Sequence, residues 1–417
     1  MIKSLRGTTD ILPPESALWE FVEQQARTLF RQYGYEEIRI PVFERTELFV
    51  RTIGETTDIV EKEMYTFKDR KGRSLTLRPE GTAGVVRACL QNKIFGQKIQ
   101  KLYYLGPMFR YERPQAGRQR QFYQIGVELF GTSSPLADAE VIALMVRFVE
   151  KIGLSGVSVN VNSLGDDESV STFKQRLKDF IEPKAEMLCA DCRRRLERNI
   201  LRVLDCKVPS CREVLDDPGL PVLKDSLSPG ARVHYEKVLA MLDQLGIQYR
   251  EEPRLVRGLD YYTHTIFEVT HSSLGSQDAL GGGGRYDNLV ESIGGAAVPG
   301  IGFAMGVERL IMVLKELQAD ENESRIDVFL VSLDEQALEE NLVLADRLRR
   351  AGVSAVSGYE KQSVKSQMRQ ANNLGVKRVV MRGQEERAAG SYKLKNMQNG
   401  EERIVGSSDI IDVIQKQ

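Results

Sequence analysis

Histidine is scarce: His234, His264 and His271 are the only three in 417 residues. That excludes zincin and histidine-triad chemistry, which need several imidazoles in one motif. No serine stands in a nucleophile elbow. No GxxxxGK[ST] loop is present, and GIGFAMG at 300–306 has one residue too many for a dinucleotide fingerprint. Bound phosphates must therefore be gripped by arginines. No apolar run approaches the ~18 residues of a membrane span. MIKSLRGTTDILPPES shows no apolar leader core and no cleavage pattern, so the cytoplasm is the expected location. Excess charge of one sign is missing too, with 58 basic residues against 59 acidic. Any RNA binding must then rest on local patches. The five cysteines are an odd number with four clustered, which points to free thiols or a metal knuckle before disulfides.

What is present reads as a globular chain, 41% hydrophobic and 28% charged, long enough for two or three domains. Leu18, Phe21, Val22, Ala26, Leu29, Phe30 and Tyr33 follow Pro13-Pro14 at helical spacing, predicting a helix over 16–33 that Gly34 ends. EEIRIPVFERTELF reads as extended, with Pro41 at a sheet edge or strand end. KEMYTFKDRKGRSLTLRPEGT reads as a hairpin around Lys71-Gly72, leading to a helix from Gly81. YYLGPMFRYE and QFYQIGVELFG alternate and flank a polar loop, which predicts an antiparallel hairpin. A helix is expected over 137–152. Residues 170–252 are charged and mostly helical, hold the clustered cysteines, and read as an insertion. Strand character resumes in VRGLDYYTHTIFEVTH, followed by a glycine run and by GIGFAMG leading into the helix VERLIMVLKEL.

The polar stretch ADENESR (319–325) is the expected boundary between a first domain, 1–322, and a second, 326–417. In the second, IDVFLVSL, GVSAVSGY and VKRVVMRG are strands separated by two amphipathic helices. That pattern predicts a small α/β domain with a largely parallel sheet. Asn399-Gly400 is a hairpin turn signal, and a short helix closes the chain.

Arg110, Arg113, Arg118 and Arg120 crowd into FRYERPQAGRQRQF. A solvated hairpin tip would look the same, but Arg110 is placed in the strand itself, between Phe109 and Tyr111. On the return strand Gln124, Gly126 and Glu128 share a face. One sheet face then offers a planar cation, an amide and a carboxylate beside a glycine that leaves room for a ligand. Guanidinium suits a phosphoryl group because it gives paired donors and keeps its charge. Arg309 falls in the first turn of a helix, whose N-terminal end favours anions; a surface pairing with Glu308 or Glu316 is the alternative.

FRYERPQAGRQRQFYQIGVELFG resembles motif 2 of class II aminoacyl-tRNA synthetases, GIGFAMGVERL resembles motif 3, and the strand around Pro41 resembles the dimer-forming motif 1. LVRGLDYYT (255–263), GGGRYD (282–287), RGTTDILP and LRPEGTAGVVR are similar to signatures of the histidyl-tRNA synthetase family. The resemblance runs over essentially the whole chain, with its motifs in the family's order. It implies an α+β catalytic domain on an antiparallel sheet, with a helical insertion and a C-terminal α/β anticodon-binding domain. It also implies L-histidine, ATP with Mg2+, and tRNA(His) as substrates and partners, a homodimer, and no membrane association.

Residue by residue, the resemblance puts Arg110 at the ATP α-phosphate and Arg309 at the terminal phosphates, with Arg118 also on ATP. Glu80 and Thr82 would receive the histidine α-amino group, and Gln124 the carboxylate and backbone side. Glu128 and Tyr262 would flank the imidazole, one accepting and one donating. Tyr286 would close the pocket, and Tyr261 stands with these substrate residues although packing explains it better. Arg257 would stabilise the adenylation transition state from the side opposite Arg110. Strict alternation puts Arg257 and Tyr262 on opposite faces, so both serve only if Gly258 breaks the pleat. His264 and His271 have no identifiable partner.

Cys189-x2-Cys192 and Cys206-x4-Cys211 fall near structural zinc spacing, without a second tight pair to complete a ribbon. Buried free thiols, and no metal, are the expectation; zinc is the alternative. Lys361, Lys365, Arg369, Lys377 and Arg378 are candidates for anticodon contacts. The competing functional reading is a non-catalytic, synthetase-like regulatory subunit of ATP phosphoribosyltransferase. A class lacking the C-terminal domain and with eroded motifs does not fit Arg110, Arg257, Arg309, Glu80 and Glu128 all standing in place.

Overall fold

The Gln100–Phe109 and Gln121–Phe130 strands pair antiparallel, Gln100 opposite Phe130 and Phe109 opposite Gln121. In this computed structural model, which describes residues 2–55, 57–96, 98–115, 117–317 and 326–416, that hairpin seeds an eight-stranded sheet. Next to Gln121–Phe130 come Gly300–Gly306, Ala279–Arg285, Thr263–His271 and Val157–Ser163, each antiparallel to its neighbour. A two-residue parallel strand ends each margin, Glu36–Glu37 beside Leu102–Tyr103 and Arg250–Glu251 beside Asn160–Val161. The antiparallel expectation for the first domain holds.

One face of the sheet is packed by helices Glu15–Gln32 and Pro135–Lys151. In the first helix Trp19, Val22, Ala26, Leu29 and Phe30 are buried, whereas Phe21 is exposed. The apolar stripe is therefore rotated from the expected one, with Trp19 in the place given to Phe21. Trp19 seats edge-on against Tyr123, ring centroids 5.2 Å apart, and so joins the helix to the sheet.

Several local expectations need correcting. TELF is helical, within Thr46–Ile53, because Leu48, Phe49 and Ile53 bury one helical face. The extended part before it is only Glu36–Glu37 and Phe43–Arg45, with Pro41 between the two. Val157–Ser163, not expected as a strand, pairs with Thr263–His271, so the insertion lies between two neighbouring strands. Residues 256–262 belong to no strand. The turns there remove the pleat on which opposite faces for Arg257 and Tyr262 were argued, and Gly258 has no pleat to break. The glycine run is itself a strand, Ala279–Arg285, inside the sheet.

The chain divides into two units, Met1–Gln318 and Ala319–Gln417; ADENESR, the expected boundary, lies outside the described residues. The second unit has a five-stranded sheet ordered 355–357, 328–332, 378–382, 391–396, 402–406. The first three strands are parallel and the last two form an antiparallel hairpin turning at Gly400. Alternation explains its layers. Val328 and Leu330 face helix Glu335–Arg350 and the closing helix Ile410–Gln415 through Leu344, Leu348, Ile410 and Ile414. Phe329 and Val331 face Ala371 of helix Val364–Asn373 on the other side.

Candidate active site

A cleft of about 640 Å³ opens over the sheet of the first unit, lined by Arg110, Arg118, Gln124, Arg257, Tyr262 and Arg309 among others. Its size suits a nucleotide with a small second reactant. The strand order explains how the arginines meet. Arg110 directly follows its strand rather than lying within it, and its backbone N–H donates to Arg120 O at 2.9 Å, continuing the ladder by one rung. Arg257 lies over Gly282, three strands away, a span of ~14 Å at normal strand spacing. Two guanidinium groups therefore reach inward from opposite sides of Gln124 and the glycine strands.

Each cation is held by its stem. Arg110 Nε donates to Pro79 O at 2.9 Å, and the guanidinium lies 5.2 Å from the Phe122 ring centroid. Arg309 leads from the third position of helix Val307–Leu317 and donates to the carbonyls of Gly117 and Ala279. It pairs with neither Glu308 nor Glu316; Glu308 instead accepts from Tyr123 N at 2.9 Å. Burial and the nearby Arg118 lower the Arg309 pKa. An anion placed between them would relieve that repulsion. Arg118 itself contacts Glu112 at 3.1 Å.

Arg257 Nη1 donates to Glu268 at 2.6 Å, not to Glu252 or Asp260. Burial would lower the Arg257 pKa, but Glu268 and Tyr262 together outweigh it and the net shift is upward. A Cβ at Gly282 would come within 2.7 Å of Arg257 Nη1, which is why a glycine strand must run beneath this cation. Arg257 Nε and Gln124 Oε1 are buried polar atoms without a hydrogen-bond partner. Such atoms are rare in folded proteins, and here a donor and an acceptor both belong to residues that line the same cleft.

Behind this cleft Glu80, Thr82, Glu128, Tyr261 and Tyr286 form a second, buried cluster, and Tyr262 belongs to both. The Glu80 carboxylate accepts from the backbone of Thr82 at 2.7 Å and Ala83 at 2.9 Å, capping helix Thr82–Gln91. Thr82 Oγ1 donates to Glu128 Oε1 at 2.7 Å, and the Tyr286 hydroxyl donates to Glu128 Oε2. A Cβ at Gly302 would come within 2.6 Å of that hydroxyl. Tyr261 stacks against Tyr262 at 4.7 Å and stands edge-on to Tyr286 at 5.6 Å. Burial raises the pKa of Glu80, and pushes that of Glu128 up to about 8. Each Glu128 oxygen accepts one hydroxyl and keeps a second lone pair, so an imidazole N–H that reaches this carboxylate shares it with Thr82 and Tyr286.

The room beside Gly126 is not free for a ligand. Tyr104 stands opposite Gly126 in the ladder, and its ring occupies the place of a Cβ there and at Gly81. His271 does have partners, Ser273 Oγ at 2.7 Å and Ser155 O at 3.0 Å. His264 stacks on His234 at 5.3 Å, away from the chemistry. Glu268 was legible as the one carboxylate in its strand, yet only its register opposite Gly282 ties it to Arg257. Arg285, from GGGRYD, is fully buried and bonds Asp138, Asp287 and the carbonyls of Thr132 and Ser134.

Among known proteins, the family model described as histidyl-tRNA synthetase matches residues 7–310, and an anticodon binding domain model matches 327–417. A histidine–tRNA ligase of Halothermothrix orenii is 50% identical, covering 100% of this chain and 99% of that protein. One of Bacillus subtilis is 48% identical, covering 98% and 97%. The crystal structure of apo Staphylococcus aureus histidyl-tRNA synthetase matches all of both chains at a TM-score of 0.83 and 39% identity. An ATP phosphoribosyltransferase regulatory subunit/histidyl-tRNA synthetase from Bacillus halodurans matches at 0.66 and 22% identity, which is likeness of fold alone.

Proposed function

Because the chain belongs to the histidyl-tRNA synthetase family, we infer that the arginine-lined cleft is where its two reactants meet. The reaction is ATP-dependent joining of L-histidine to the 3′ end of tRNA(His). A regulatory-subunit reading gives way to this one, since full-length relatives at 48–50% identity are ligases.

The observation that carries the site assignment is the convergence of Arg110, Arg257 and Arg309 on one cleft around the unpartnered Arg257 Nε and Gln124 Oε1. A histidine carboxylate oxygen attacks the α-phosphorus, the bond to the bridging oxygen breaks, and pyrophosphate leaves. Arg110 and Arg257 would flank the phosphorus from the two sides, while Arg309 and Arg118 take the departing phosphates. Donors fixed in advance stabilise charge that grows in the transition state. The terminal ribose hydroxyl of the tRNA then attacks the adenylate carbonyl and releases AMP. Magnesium enters as part of the nucleotide substrate, and Glu268 and Asp278 on the cleft wall are hard oxygen ligands of the kind it takes.

Histidine would lie toward the buried cluster, its ammonium at Glu80 and Thr82 and its imidazole between Glu128 and Tyr262, with Tyr261 and Tyr286 closing around it. The second unit would read the anticodon, with exposed Lys361, Lys365, Arg369 and Lys377 available for it. Arg378 is committed in part, donating to Ile414 O at 2.8 Å. We also propose a homodimer through residues 35–50, where Val42 and Phe43 are exposed, and a cytoplasmic location. No helix among the described residues is long and apolar enough to cross a membrane. Pyrophosphate exchange tests the assignment: histidine alone of the twenty amino acids should sustain it, and exchange driven by another would overturn it.

A further inference from the structure

The four clustered cysteines meet in space. Cys189 precedes helix Ala190–Arg198, Cys192 lies in its first turn, Cys206 follows the short helix Ile200–Val203, and Cys211 lies in helix Pro209–Leu215. Their four sulfurs all lie within 4.8 Å of one another. Cys189 and Cys206 sulfurs are 3.9 Å apart. Sulfurs at zinc–thiolate bond length on a tetrahedron stand ~3.8 Å from each other, whereas a disulfide brings two sulfurs to ~2.05 Å. Cys192, Cys206 and Cys211 are buried and Cys189 is half-buried. The Cys189 backbone N–H donates to Cys211 Sγ at 3.2 Å, as backbone amides do to thiolates carrying metal charge. Spacing alone favours free thiols; the arrangement in space points the other way.

The segment between the two cysteine pairs also reaches the cleft. Asn199 Nδ2 donates to Asp260 Oδ1 at 2.7 Å, and Arg202 Nη1 donates to Arg257 O at 3.4 Å. Arg195 and Arg202 both bond Asp58, at 3.0 and 3.4 Å. Arg202, Leu204 and Asp205 line the cleft. The turns at 256–262 have no ladder of their own, so these bonds are part of what fixes the backbone from which Arg257 projects.

We propose that Cys189, Cys192, Cys206 and Cys211 bind one zinc ion as a closed tetrathiolate site, and that this knuckle positions the loop carrying Arg257. Four soft ligands with no open position make a structural centre, not a catalytic one. Closing the chain at both cysteine pairs fixes residues 193–205 between them, and Asn199 and Arg202 transmit that order to Asp260 and Arg257. The positioning half rests on Arg257 belonging to the reacting site; the metal half does not.

Untagged full-length protein, purified under reducing conditions without chelator, should hold about one zinc per chain by elemental analysis. Cobalt(II) exchanged into the same site should give tetrahedral d–d bands and thiolate charge-transfer absorption. Cys189→Ser and Cys211→Ser should abolish both signals; should either variant fail to fold, the cobalt spectrum of the parent protein still decides. Absence of stoichiometric metal after dialysis against zinc, or cysteines found as disulfides by mass, overturns the site. Zinc removal should speed tryptic cleavage within 189–211. It should also lower the kcat of histidine-dependent exchange about tenfold or more, with far less change in the KM for histidine. Returning zinc should restore both. Bound metal whose removal leaves kcat unchanged would uphold the centre and overturn its positioning role.

Discussion

Arg257 is a half-buried cation with one carboxylate partner and one unpartnered, buried nitrogen. A surface ion pair would be worth under ~1 kcal/mol, but this one points into a cleft shared with Arg110 and Arg309. Arg257→Ala should lower the single-turnover rate of adenylate formation by ~10²–10³. Histidine affinity should change much less, and Arg257→Lys should rescue only in part, because an ammonium lacks the planar fork. A near-parental rate in rapid-quench assays of the alanine variant would remove Arg257 from the chemistry. Glu128 makes a different prediction, about stability. Its pKa rises from the ordinary 4.5 to about 8 through burial, so the folded protein holds a proton that the unfolded chain has released in that interval. The stabilising contribution is complete below about pH 4.5 and is lost as pH climbs through about 8. Glu128→Gln removes the titration, so its melting temperature should fall less than the parent's between pH 6 and pH 9. An equal fall in both proteins would show that Glu128 titrates normally.

At the scale of elements, Arg285 and Asp138 tie the end of the glycine strand to helix Pro135–Lys151. Both side chains are fully buried, 2.7 Å apart, with His234 on the other Asp138 oxygen at 2.8 Å. Burial alone would raise the Asp138 pKa; His234 and Arg285 hold it low instead. Asp138→Asn takes from a buried guanidinium the fully buried one of its two carboxylates and should cost roughly 3–5 kcal/mol, read as a large loss in the urea midpoint. A loss under ~1 kcal/mol would mean that Asp287 and the carbonyls suffice for Arg285. Legibility in the sequence follows the same division. The motif 2 hairpin could be read because alternation and a polar turn are local signals, and with it Gln124 and Glu128 on one face. The C-terminal layers were legible for the same reason. Arg257 could not be placed, since turns have no period. The glycine strand could not be told from a loop because what its glycines lie against, Arg257 and the backbones of Phe267, Gly302 and Ala304, is distant in sequence. The filling of the Gly126 gap by Tyr104 depends on cross-strand register, which one strand read alone does not fix.

For the whole molecule, the candidate chemical residues all precede 318, inside the first of two units with separate cores. A chain ending near residue 320 should therefore retain histidine-dependent pyrophosphate exchange and charge tRNA(His) poorly. Undiminished charging by the shortened chain in a filter assay would give the second unit another task. The first unit in turn has an asymmetry of its own. Its insertion leaves the sheet after Ser163, touches the sheet margin at Arg250–Glu251 and rejoins it at Thr263, and the two long strands' ends lie side by side, Ser163 opposite Thr265. Topologically residues 164–262 are one long loop between neighbouring strands, and closure entropy rises only with the logarithm of length. Doubling or halving that loop would change its closure by just ~0.6 kcal/mol. For the sheet, then, the insertion's length is nearly neutral. The cleft imposes the opposite condition, because the loop's last turn carries Arg257 and its middle supplies Arg202. One segment is thus indifferent to its own length as far as the sheet is concerned and geometrically strict at its tip, so lengthening should be tolerated at the exposed Pro218-Gly219 turn and resisted near Arg202.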